Sequence, residues 1–124
     1  LEGENGFRER ESEALNQVIN NYDDYVLSLG GGCVIRAENR HVIARNNNLV
    51  IQLIADLDVI VERLARSPNK RPLLANQDLK KKVEDLYNTR RELYEMVSDV
   101  TINTTKLRPH QVISIVESHL DPSS

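Results

Sequence analysis

Three consecutive glycines, Gly30-Gly31-Gly32, follow the apolar run Tyr25-Val26-Leu27-Ser28-Leu29. Glycine there surrenders side-chain packing and costs backbone entropy, so the triplet predicts a strand end where a ligand comes close to the main chain; a loose turn is the plain alternative. Arginines supply the second signal. Arg90 sits on the stripe of its helix that should be apolar, seven residues after Val83 and three after Tyr87. Such a guanidinium must snorkel out, pair with a carboxylate or meet an anionic ligand. Arg8 poses the same question beside Phe7, with Glu11 one turn on and able to hold it. The planar guanidinium fork suits carboxylate or phosphate, because it makes bidentate hydrogen bonds that lysine cannot copy. Lys70-Arg71-Pro72 adds two cations on a loop stiffened by Pro68 and Pro72, fit for a solvated surface or for closing over phosphates. Paired carboxylates, metal-ligand spacing and a Ser/His/Asp arrangement find no support. His41, His110 and His119 are scattered and expected at the surface, and Cys33 reads as a small buried hydrophobe.

Helices and short strands must position these residues. Phe7, Ala14, Leu15, Val18 and Ile19 recur at helical spacing and predict a helix over residues 6–20, broken by the Asn and Asp pairs that follow. Residues 25–29 predict a strand, 37–45 a helix and 49–54 a second buried strand. Asp56 can cap the next helix, whose Leu57, Ile60, Val61 and Leu64 make one stripe. After the basic loop of residues 67–72, a longer helix over 77–97 carries Val83, Leu86, Tyr87, Tyr94 and Val97. A third strand is expected over 100–104, and Pro109 suits the first turn of a last helix that turns Val112, Ile113 and Val116 inward. Strands separated by helices imply parallel pairing, an α/β layer fold with ligands bound beyond the carboxyl ends of the strands.

The 124 residues suit one domain, taken as 1–120 with a frayed tail at 121–124. Sixteen Lys and Arg against nineteen Asp and Glu give a net charge of −3, which disfavours a nucleic-acid partner. One cysteine precludes an intrachain disulfide and fits a reducing compartment. No stretch nears the roughly 18 apolar residues of a membrane span, so no membrane partner and a cytoplasmic location are expected. Leu1 leads into an amphipathic segment without a cap signal, as if in the middle of something longer.

Taken in order, these pieces resemble shikimate kinase. The resemblance runs from Glu2-Gly3-Glu4, Gly6-Phe7-Arg8 and Glu11 through Leu27 to Val34 and Asn39-Arg40. It continues through Glu62-Arg63-Leu64-Ala65-Arg66, Arg71-Pro72-Leu73-Leu74, Arg90 with Leu93-Tyr94, and Asp99-Val100-Thr101-Ile102-Asn103-Thr104. Each motif is weak alone; their order and spacing are specific. The resemblance implies a P-loop NTPase-like, nucleoside-monophosphate-kinase-like parallel sheet flanked by helices, and transfer of the ATP γ-phosphoryl group to the 3-hydroxyl of shikimate. It implies that Arg8 and Arg90 clamp the shikimate carboxylate, Glu11 supports Arg8, and the segment Gly30, Gly31 and Gly32 presents backbone to substrate hydroxyls. Arg71 would be the lid arginine that reaches the transferring phosphate, and either Arg63 or Arg66 would lie against adenine. Arg108-Pro109 would close its other side.

The family's Gly-x-x-x-x-Gly-Lys-Ser/Thr loop, which cradles phosphates and binds magnesium through its hydroxyl, does not occur in the 124 residues. Nor does the acidic strand end that follows it in the family. The sheet is therefore expected to be incomplete, lacking its first strands, with the ligands for ATP phosphates and Mg2+ outside this sequence. Two readings follow: part of a monomeric kinase, inactive alone, or a shikimate-binding or regulatory domain that does not phosphorylate.

Overall fold

Leu15 and Ile19, four residues apart with Ser12 a turn before, form the buried stripe of helix α1 (Gly3–Asn21). This stripe at helical spacing is what makes the segment a helix worth packing. The computed structural model describes residues 3–45, 47–66 and 76–120. A short 3-10 turn (Cys33–Ile35) and helix α2 (Ala37–Arg45) follow α1; strand β1 (Ile51–Ile54), helix α3 (Leu57–Ala65) and helix α4 (Asn76–Val97) come next. Strand β2 (Val100–Asn103) and helix α5 (Pro109–Leu120) complete the order. The chain divides into two units: residues 1–49 with 92–97, and residues 50–91 with 98–124.

In the first unit α1 packs on α2 and on the 3-10 turn. Its core is Leu15, Ile19, Cys33, Val34, Val42 and Ile43, joined by the buried polar residues Ser12 and Asn39. Cys33 is buried as its type predicts, and the three histidines are exposed.

In the second unit β1 and β2 run parallel, Ile51 opposite Val100 and Ile54 opposite Asn103. Asp99 and Val50 extend the ladder by exchange: the Asp99 amide donates to the Val50 carbonyl at 2.8 Å, and the Asp99 carboxylate accepts the Val50 amide at 2.8 Å. Val61 from α3 and Ile102 from β2 are the buried apolar residues here.

Three expectations need correction. Residues 25–29 form no strand among the described residues, and Val26 is 90 % exposed. A strand exists only with a ladder partner, and none of the described backbone supplies one. Asp56 precedes α3, but its side chain makes no capping hydrogen bond. Leu64, Leu86, Tyr87 and Ile113 belong to helical stripes yet remain exposed, because periodicity gives the face and not a neighbour to cover it. Arg71, the rest of the basic loop, Leu73-Leu74 and the tail lie outside the described residues.

Candidate functional site

The glycine triplet forms a reverse turn. The Cys33 amide donates to the Gly30 carbonyl at 3.1 Å, and the Ile35 amide then donates to the Gly32 carbonyl at 3.1 Å, opening the 3-10 turn. Two side chains from α2 hold that turn from behind. Asn39, only 1 % exposed, donates to the Cys33 carbonyl at 2.8 Å, and one Arg40 nitrogen donates to the carbonyls of Val34 and Ile35 at 2.7 and 2.9 Å.

Helix α1 brings Arg8 and Glu11 onto the glycines. Arg8 stands one turn before Ser12 at the head of the buried stripe, and this register is why its side chain is only 16 % exposed. Its Nη1 donates to Glu11 Oε1 at 2.8 Å, a close ion pair with Glu11 itself 14 % exposed. A Cβ placed on Gly32 would fall on the Arg8 guanidinium, and one placed on Gly30 would lie 3.1 Å from Glu11 Oε2. Glycine is thus needed at position 32 for close approach. The Arg8 Nε is buried without a hydrogen-bond partner, with Glu4 Oε2 in a loose ion pair at 3.9 Å, and the guanidinium carbon lies 5.2 Å from the centre of the Phe7 ring. A guanidinium with an unspent, desolvated N–H is an anion-binding group, since ionised acceptors gain most from such donors.

Cys33 lies under this pair. Burial chiefly, and the Glu11 carboxylate next, push its thiol up to about 11, with the Arg8 charge pulling the other way. It is therefore a neutral packing group at ordinary pH, not a nucleophile.

Tyr94, assigned from sequence to an apolar stripe, has a further task. Its hydroxyl donates to the Gly31 carbonyl at 2.8 Å, tying α4 to the turn. A tyrosine rather than phenylalanine on an inward stripe is the signal, because a phenol hydroxyl calls for a partner. Arg90 lies one turn earlier on α4 and is half-buried; among the described residues no carboxylate pairs with it.

In the second unit the two arginines that spacing left equivalent differ. Arg63 donates through Nη1 to Thr104 Oγ1 at 3.1 Å and through Nη2 to the Thr104 carbonyl at 2.9 Å. Thr104 in turn donates through its amide and hydroxyl to the Ile54 carbonyl at 2.7 and 3.0 Å, and the Asp56 amide donates to Thr105 Oγ1 at 2.8 Å. Arg63 is consumed in joining α3 to the carboxyl ends of both strands. Arg66 is 71 % exposed and makes only a loose pair with Glu62 at 3.4 Å. Arg108 and Pro109 open α5, where the Gln111 side chain accepts the Arg108 amide at 2.8 Å. Among the described residues no three His, Cys, Asp or Glu side chains gather as a metal site, and no helix is long and apolar enough to cross a membrane.

Comparison with known proteins gives the family. A profile of the shikimate kinase family matches residues 1–121. The shikimate kinase of Actinobacillus pleuropneumoniae serotype 5b is 38 % identical over 120 residues, covering 97 % of this chain and 65 % of the relative. That of Legionella pneumophila (strain Corby) is 37 % identical over 120 residues, covering 97 % and 67 %. Among solved structures, shikimate kinase from Bacteroides thetaiotaomicron superposes with a TM-score of 0.82 at 26 % identity, covering 94 % of this chain and 67 % of that one. Shikimate kinase from Acinetobacter baumannii in complex with shikimate superposes at 0.75 and 31 % identity, covering 95 % and 66 %. The chain thus spans about two thirds of the length of its relatives, 65 % for the first of them. The fold is the P-loop, nucleoside-monophosphate-kinase-like α/β class expected from the motifs. With the family profile matching residues 1–121, the chain belongs to the shikimate kinase family.

Proposed function

We propose that this chain supplies the acceptor side of a shikimate kinase, the enzyme that moves the ATP γ-phosphoryl group to the 3-hydroxyl of shikimate. The observation that carries this reading is Arg8, desolvated against Gly32 with Glu11 fixing one nitrogen and Nε left without an acceptor. Arg8 binds the shikimate carboxylate, with Arg90 as the second arginine that the family resemblance implies, and the glycine turn offers main chain to the hydroxyls. The Acinetobacter baumannii relative is in complex with shikimate, which favours the same acid here.

On the nucleotide side, Arg66 is the better candidate for adenine because Arg63 is already spent on Thr104. Arg108 and Pro109 would face the same base, and Arg71 would reach the transferring phosphate. The sequence holds no phosphate-cradling loop, and the family resemblance implies that the ligands for Mg2+ and the ATP phosphates lie in a segment other than these 124 residues. Turnover by positioning and charge neutralisation needs both halves of the site. The expected setting is cytoplasmic and monomeric.

Calorimetry with shikimate and with ATP separately, alongside a coupled turnover assay, tests this reading. Shikimate should bind the 124-residue chain while turnover stays at background. Normal turnover would sink the division of labour, and absence of shikimate binding would sink the acceptor site. The missing phosphate loop also suits a second reading, a domain that binds shikimate without phosphorylating it. In that case restoring a phosphate-loop segment would leave activity at background.

A further inference from the structure

The turn at residues 30–33 has a choice to make. Gly32, its third residue, has φ −92° and ψ −1°, and Gly31 is not in the positive-φ region. These angles and the Cys33-to-Gly30 hydrogen bond define a type I turn. Rotating the Gly31–Gly32 peptide by roughly half a turn would give type II instead, with φ near about +80° at the third residue. Most residues resist that state. With glycine at position 32, however, the backbone itself has no strong preference.

The Tyr94 hydroxyl supplies one. It donates to the Gly31 carbonyl at 2.8 Å, and this oxygen belongs to the very peptide that would rotate. In a trans peptide the N–H points opposite to the C=O, so holding the Gly31 carbonyl on the Tyr94 side sends the Gly32 N–H to the other. That N–H has no acceptor among the described residues. Asn39 and Arg40 grip the chain only from Cys33 onward and the Arg8 guanidinium packs against Gly32, so among the described residues Tyr94 makes the one hydrogen bond to the central peptide.

We infer that Tyr94 is a positioning residue: its hydroxyl selects the type I orientation of the Gly31–Gly32 peptide and so fixes the side on which the Gly32 N–H is offered to a ligand oxygen. The ligand half of this inference rests on reading the turn as the floor of the acceptor site. The conformational half does not.

Tyr94→Phe in the 124-residue chain separates the two, because it keeps the ring and removes only the donor. Relaxation-dispersion NMR on the amides of Gly31, Gly32 and Cys33 should reveal exchange between two orientations in the variant and none in the wild type. The same behaviour in both proteins, exchanging or not, would overturn the inference. Shikimate affinity by calorimetry should fall about three- to tenfold, as expected when the competent orientation drops from nearly all molecules to a fraction of them. Exchange with undiminished affinity, in a wild type that binds shikimate, would also overturn it. If the wild type binds no shikimate, the acceptor-site reading fails, while the exchange comparison still decides whether Tyr94 holds the peptide.

Discussion

A methyl group at position 32 would occupy the space of the Arg8 guanidinium, whereas at position 30 it would meet only the far end of Glu11 at 3.1 Å. Gly32→Ala must therefore push a largely buried cation off its carboxylate partner, and the expected loss is about 1–3 kcal/mol of stability, within the range of overpacking in a tight site. Gly30→Ala should cost clearly less, since Glu11 Oε2 at 3.1 Å need give by only a few tenths of an ångström whereas the whole Arg8 guanidinium must leave its place. Urea unfolding of the two variants ranks them, and an equal or inverted order would mean that Arg8 has room to move. Cys33 makes a separate prediction about pH. Its thiol is raised from 9.0 to about 11 by burial first and Glu11 second, against the pull of Arg8. The unfolded chain releases that proton at lower pH, so between those values the folded state holds more protons. The contribution is fully present below about pH 9 and is lost as pH rises through about 11, by at most about 2–3 kcal/mol. The urea midpoint of the wild type minus that of Cys33→Ala, followed over this range, should decline; a flat difference would show that the thiol titrates normally when folded.

Helix α3 is joined to the strand ends by one side chain, and this gives the prediction at the level of elements. Arg63→Gln removes two hydrogen bonds from a charged donor to Thr104, whose own amide and hydroxyl hold the Ile54 carbonyl. A loss of about 1–3 kcal/mol is expected. Arg66→Gln, three residues on and exposed, should stay within about 0.5 kcal/mol. Equal costs in equilibrium unfolding would mean that the Thr104 link is not a stabilising one. The sequence treats these two arginines alike, because spacing says only that both follow Glu62; what separates them is a threonine 41 positions from Arg63, brought there by the parallel pairing of β1 with β2. Helix bounds are more legible. Residues 37–45 are read directly from the break at the asparagines, and Pro109 marks the start of α5, since both signals are local. The strand expected at 25–29 is not local: its apolar residues satisfy the pattern, but a ladder needs a second backbone. Arg8 and the glycine turn are legible as chemistry from residue type, yet the close packing of one on the other is not, and Tyr94 conceals its hydroxyl in a stripe that would serve equally well for phenylalanine.

Burial is unevenly shared between the two units. Among the described residues, six buried hydrophobic side chains (Leu15, Ile19, Cys33, Val34, Val42 and Ile43) belong to the first, and only Val61 and Ile102 to the second. Both units leave large apolar side chains exposed, Phe7, Val26 and Ile35 in the first and Leu53, Leu64 and Ile113 in the second, but the second has fewer buried ones, and among the described residues its sheet has two strands, fewer than an independently stable sheet usually requires. Regions with few buried apolar groups open at lower free energy than the rest of a molecule. Native-state hydrogen exchange on the 124-residue chain should therefore find the slowest amides in α1 and α2, around Leu15, Ile19, Val42 and Ile43. The amides of α5 and of the β1–β2 ladder should exchange faster and with a smaller denaturant dependence, as local opening requires. An added dye that reports exposed apolar surface should bind, and the thermal transition should be broad because the second unit, with fewer buried apolar groups, opens at lower free energy. Slowest exchange in the ladder, or one sharp transition with every amide exchanging through global unfolding, would mean that apolar burial does not set the order in which this chain opens.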